Sequence, residues 1–121
     1  MSKKILIVDD DPDLLLVLGG RLEASGYEAR KASDGDAALK QIKADPPDLI
    51  LLDIMMPGME GSVLAQTLKE NPRWKEIPIV FMTGLRESGE QKQAGAQVGL
   101  NIIFSKPFEF SELLETIRAL I

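Results

Sequence analysis

Hydrophobic positions along this chain fall into two rhythms. Unbroken aliphatic runs occur at Ile5-Leu6-Ile7-Val8, at Leu49-Ile50-Leu51-Leu52, from Ile77 to Met82 around Pro78, and at Ile102-Ile103-Phe104. Runs without polar alternation suit strands buried on both faces of a parallel sheet. Tyr27 to Ala32 reads as a further strand with a weaker pattern. Between these runs the spacing turns helical: Leu14, Leu15, Leu18 and Leu22; Ala37, Ala38 and Ile42; Val63, Leu64 and Leu68; Phe110, Leu113, Leu114, Ile117 and Leu120. The punctuation agrees. Asp11 before Pro12 reads as an N-cap, Gly26 as a stop, and Pro46-Pro47 and Asn71-Pro72 as breaks. A helix is also expected over residues 86–98, although Gly89 and Gly95 each cost about 1 kcal/mol relative to alanine there.

Strand and helix alternate five times. That predicts an α/β fold with helices on both faces of a five-stranded parallel sheet, a (βα)5 unit of flavodoxin-like strand order 2-1-3-4-5. The 121 residues fit one domain spanning 1–121, without internal repeats, linker or tail. The net charge of −5 lacks a basic footprint, so direct nucleic-acid contact is not expected. Cysteine and histidine are both absent, which removes thiolate chemistry, imidazole bases and histidine metal ligands. The N-terminal apolar run is too short for a signal peptide, and no stretch reaches the roughly 18 apolar residues of a membrane span. A cytoplasmic protein with no membrane partner is the expectation.

Chemistry collects at the carboxyl ends of the predicted strands, where open α/β sheets place their ligands. The first run ends in Asp9-Asp10-Asp11, the third strand in Asp53, the fourth in Thr83-Gly84 and the fifth in Ser105-Lys106. The predicted strand order brings these ends to one edge. Close carboxylates repel by several kcal/mol per pair at an effective dielectric of about 20. Lys106 and a hard divalent cation offset that charge, and Mg2+ fits an oxygen-only set. An Asp beside such a metal can attack phosphorus and form an acyl phosphate. Asp53 is the expected nucleophile because a loop with Pro57, Gly58 and Gly61, rather than a helix N-terminus, follows it. Thr83 and Lys106 are expected to bind phosphoryl oxygens.

Four segments in order carry a family resemblance: Ile-Val-Asp-Asp-Asp (7–11), Leu-Leu-Asp-Ile-Met-Met-Pro-Gly-Met-Glu-Gly (51–61), Met-Thr-Gly (82–84) and Ser-Lys-Pro-Phe (105–108). From Lys3 to Leu120 the chain resembles the receiver domain of two-component response regulators. The resemblance implies that Asp53 accepts a phosphoryl group from a sensor histidine kinase or a histidine phosphotransfer protein. It implies Mg2+ bound directly by Asp10, Asp53 and the Met55 carbonyl, with Asp9 acting partly through water. It further implies an output protein or domain, and an output and homodimer face formed by the fourth helix, fifth strand and fifth helix. Two departures stand out. The family's switch position, commonly Tyr or Phe, is Ile103 here, with Phe104 beside it. Met55 and Leu85 occupy positions that tune dephosphorylation, and neither can orient a water.

Other readings fit less well. A phosphohydrolase of the haloacid dehalogenase type wants a general acid two residues after its Asp, where this chain has Met55. A flavin carrier wants a hydroxyl-rich phosphate loop after the first strand, where three aspartates stand. A receiver with a vestigial site, acting only as a phosphorylation-independent interaction module, is opposed by the complete Asp, Asp, Thr, Lys set. Trp74 reads as a half-buried anchor against a helix.

Overall fold

The computed structural model describes residues 2–54, 61–83, 96–98, 101–105 and 109–121, with the side chains of 61–62, 96–98, 101–103 and 105 outside that description. In chain order the elements are β1 (Lys4–Val8), α1 (Pro12–Ala24), β2 (Glu28–Ala32), α2 (Gly35–Ala44), β3 (Leu49–Asp53), α3 (Gly61–Lys69), β4 (Ile79–Thr83), β5 (Ala96–Val98), β6 (Asn101–Ser105) and α4 (Phe110–Leu120). They build one sheet of order β2-β1-β3-β4-β6-β5. The first five strands of that order pair in parallel, so the expected 2-1-3-4-5 arrangement is present with β6 as its fifth parallel strand.

The short β5 was not anticipated. Residues 96–98 pair antiparallel with β6, through Ala96 opposite Ile103 and Val98 opposite Asn101, and so are strand where the sequence suggested helix. The physical reason lies in composition and pairing: Gly89 and Gly95 weaken a helix, and pairing with β6 settles residues 96–98 as strand. The rest of the expected helix, 86–95, lies outside the described residues.

Strand alternation sorts the core into two layers. Leu6, Val8, Ile50, Leu52, Ile79 and Phe81 face one side, where Ala38 and Ile42 of α2 and Leu64, Ala65 and Leu68 of α3 cover them. Ile5, Ile7, Leu49, Leu51, Val80, Met82 and Phe104 face the other, under Leu15, Leu18 and Leu22 of α1 and Leu113 and Ile117 of α4. Trp74 is buried in the first layer, more deeply than a half-buried anchor. Val63 is 51% exposed and not part of the inner stripe, because Ala65 takes the inward position in its place.

Local chemistry fixes the helix starts. The Asp11 carboxylate accepts from the backbone N–H groups of Asp13 and Leu14, with Pro12 in the first turn, and Asp34 caps α2 by accepting from Ala37. The outer edge of β2 is covered by side chains: Glu23 accepts from the Ala29 N–H and Gln41 donates to the Lys31 carbonyl, which blunts an edge that could otherwise template pairing. At the pole opposite the strand carboxyl ends, Lys4 and Arg30 both bind the Asp45 carboxylate, and Arg30 also donates to the Asp45 carbonyl at 2.8 Å. Those hydrogen bonds, from Lys4 first and Arg30 second, hold the Asp45 carboxyl below the usual carboxylate range.

A Cβ added at Gly20, inside α1, meets nothing within 4 Å, so Gly20→Ala raises stability by about 0.5–1 kcal/mol in urea denaturation. Gly26, at φ +99°, behaves oppositely: alanine there costs about 1 kcal/mol or more. Equal effects at the two sites would contradict the assigned backbone. For Asp45, a depressed folded-state value means its contribution is present above the unfolded carboxyl value and lost as pH falls through the folded one. Asp45→Asn therefore lowers the denaturation midpoint at neutral pH, and the difference from wild type shrinks in acid; a gap independent of pH contradicts the ion cluster.

Candidate functional site

Parallel pairing decides which polar groups meet. β1 lies beside β3 in register, Val8 opposite Leu52, so the residues that follow, Asp9 and Asp53, leave the sheet as neighbours. The Asp9 N–H donates to the Ala32 carbonyl at 3.1 Å, extending the ladder with β2. Its carboxylate accepts the Asp11 N–H at 2.9 Å. On the other side, Asp53 sits opposite Met82 of β4, and the Ile54 N–H donates to the Met82 carbonyl at 2.9 Å. These bonds fix the backbone on both sides of the acids.

Carboxylate oxygens of Asp9, Asp10 and Asp53 lie within 4.8 Å of one another. Asp9 and Asp53 are buried, at 0% and 3% exposure, while Asp10 is exposed. At that spacing the two buried carboxylates repel by about 3–4 kcal/mol at an effective dielectric of roughly 20; solvent screens Asp10 more. An oxygen-only set of this kind, part buried and part open to water, has the chemistry of a site for a hard divalent cation that keeps several of its waters. Mg2+ fits the donor set.

Thr83 ends β4 one residue beyond the partner of Asp53 and is partly exposed. Thr83 also pairs with Ser105 of β6, the residue directly before Lys106. The structure thus brings Asp9, Asp10, Asp53 and Thr83 to one sheet edge, as the sequence suggested. Met55 and Lys106 lie outside the described residues. Ile103 is placed in β6 opposite Phe81 and Ala96, and the adjacent aromatic, Phe104, is fully buried against Val80, Met82, Leu113 and Ile117. Among the described residues no further acid joins the cluster, and no helix is long and apolar enough to cross a membrane. The backbone contribution of Asp11 to Asp9 was not visible in the sequence, where Asp11 read only as a cap.

This arrangement has close counterparts in known proteins. The solved structure of chemotaxis protein CheY4 from Vibrio cholerae superposes with a TM-score of 0.84 at 31% identity, covering all of both chains. TrrA from Thermotoga maritima, solved in complex with Mg(2+)-BeF, matches at TM-score 0.80 and 32% identity over 98% of this chain and 99% of that one. Among curated proteins, response regulator PleD of Caulobacter vibrioides is 39% identical over 120 residues, 99% of this chain and 26% of PleD. The alkaline phosphatase synthesis transcriptional regulatory protein PhoP of Bacillus subtilis is 36% identical over 100% of this chain and 49% of PhoP. The chain therefore spans about a quarter to a half of the length of these curated relatives. One relative, RpaA of Synechocystis, is described as a DNA-binding regulator, and the chain spans 48% of it; the expectation of no nucleic-acid contact reaches no further than these 121 residues. With the response regulator receiver domain family matching residues 5–118, over a sheet whose strand ends carry the acids and the threonine in the order found here, the chain belongs to that family.

Proposed function

We propose that Asp53 is the phosphoacceptor of a two-component or phosphorelay switch, and that residues 1–121 form one receiver unit. The observation that carries this is the cluster of Asp9, Asp10 and Asp53 beside Thr83 on a receiver fold. A phosphohistidine of a sensor kinase or histidine phosphotransfer protein is the donor. One Asp53 carboxylate oxygen forms the new bond to phosphorus as the phosphorus–nitrogen bond breaks, and that electron pair returns to the imidazole. Asp9, Asp10, Asp53 and the Met55 carbonyl hold Mg2+, which when bound supplies positive charge against the carboxylates and the phosphoryl oxygens. The Thr83 hydroxyl donates to one phosphoryl oxygen, and Lys106 presents a point charge to another. The domain assists its own phosphorylation and dephosphorylation, and it regulates rather than turns over substrate.

Contacts available only when Asp53 is phosphorylated then shift the population between two conformations and so control an output partner. Phe104 is fully buried and position 103 is isoleucine, so the family's aromatic rotation has no side chain at position 103 to carry it. The output surface and the place for a homodimer is the face of the expected helix before β5, the fifth parallel strand β6 and the last helix α4, of which that expected helix lies outside the described residues. The setting is cytoplasmic.

Incubation with acetyl phosphate and Mg2+, followed by intact-mass measurement, adds one phosphoryl group to the wild type and none to Asp53→Ala or to wild type without metal. A folded wild type that takes up nothing points instead to the vestigial, binding-only receiver. Asp10→Asn weakens Mg2+ binding, measured by calorimetry, by about 10-fold or more, since even residues that only support a ligand are worth that much; unchanged affinity removes Asp10 from the metal set. Because Met55 and Leu85 cannot orient a water, the phosphoryl state is long-lived with Mg2+ present, and rapid loss after donor removal contradicts that assignment.

A further inference from the structure

Three aspartates follow β1 in succession, and each is held differently. Asp9 is fully buried and Asp10 is exposed, and both lie in the cluster with Asp53. Asp11 is not part of that group. Its side chain accepts from the N–H groups of Asp13 at 3.0 Å and Leu14 at 3.3 Å, and its carbonyl accepts from that of Leu15 at 3.1 Å. Pro12 has no N–H to offer. Asp11 therefore engages every backbone donor at the start of α1, and the pull of a helix N-terminus on a carboxylate acts on it.

The main chain of Asp11 faces the other way. Its N–H donates to Asp9 Oδ1 at 2.9 Å, so one residue grips the helix with its side chain and Asp9 with its backbone. The helix is itself fixed to the sheet. Leu15, Leu18 and Leu22 are buried with Ile7 of β1 and Leu51 of β3 in one core layer. On the side of β2, the Asp9 N–H is bonded to the Ala32 carbonyl. Core, helix, cap and carboxylate form one continuous chain of contacts.

We propose that Asp11 is a positioning residue for the divalent cation: its cap on α1 holds its own N–H against Asp9 and so fixes how the buried Asp9 carboxylate is turned toward the metal. Asp11 acts through Asp9 and does not touch the cation. This rests on the reading of Asp9, Asp10 and Asp53 as metal ligands.

The test compares Asp11→Asn with Asp11→Ala. Both lose the same charge and both keep the N–H, but asparagine caps a helix about as well as aspartate and alanine does not. Mg2+ affinity is measured by calorimetry, and exchange of the amide at position 11 by NMR on the metal-free domain. Asp11→Ala binds Mg2+ about 5- to 10-fold more weakly than Asp11→Asn, at the low end of what losing a supporting partner does to a metal site, because the N–H is loosened and not removed. The amide at position 11 also exchanges faster in Asp11→Ala. The same pair of substitutions at Asp34, whose side chain caps α2 through the Ala37 N–H, controls for lost helix stability: Asp34→Asn and Asp34→Ala bind Mg2+ alike. Equal affinity in Asp11→Asn and Asp11→Ala overturns the inference, whether or not both fall below wild type, as does equal amide exchange in the two. A gap of the same size between the Asp34 variants overturns it as well. A wild type that binds Mg2+ with the Asp11 variants alike removes this inference alone; a wild type that binds no Mg2+ removes the metal reading and this inference with it.

Discussion

Two buried carboxylates on adjacent parallel strands are the constraint to which the rest of this molecule answers. Asp9 and Asp53 leave β1 and β3 side by side because Val8 and Leu52 are paired in register, and both are buried. Charge packed in this way is unfavourable unless something compensates it. Under the proposed function a bound divalent cation would provide that compensation and would also serve phosphoryl transfer. The electrostatic cost of the site and its chemistry therefore have one origin.

The remainder of the fold keeps those acids where they are. Fully aliphatic strands with a helical layer on each face leave little freedom for the sheet to shear. The Asp9 N–H is bonded to β2 and the Ile54 N–H to β4, so strands on both sides hold the two acids. The Lys4–Asp45 and Arg30–Asp45 ion pairs lie at the opposite pole.

Much of this was legible in the residues because the signals were strong and local. Unbroken runs such as Leu49 to Leu52 can be little other than central strands, and the polar residue closing each run marks the carboxyl edge. Asp11 as a cap before Pro12 was equally readable. What escaped depended on partners distant in sequence or on weak phase. Val63-Leu64-Ala65 offers three apolar residues in a row, and a run of that kind does not say which of them turns inward. The three residues of β5 carry no period, and their state is settled by pairing with β6. Arg21 meets Phe110 across most of the chain length, with nothing in either neighbourhood to announce it. The role of Asp11 toward Asp9 comes from backbone geometry, which composition does not encode.

The central claim is that Asp53, among three clustered aspartates, is the residue that bonds to phosphorus. Borohydride reduction of the acetyl phosphate-treated domain, followed by peptide mass spectrometry, tests it most directly, since reduction of an acyl phosphate marks its aspartate permanently. The account predicts a single Mg2+-dependent mark at Asp53, with Asp9 and Asp10 unmarked. A mark at Asp9 or Asp10 with Asp53 untouched would reverse the roles assigned to nucleophile and metal ligands and contradict the account.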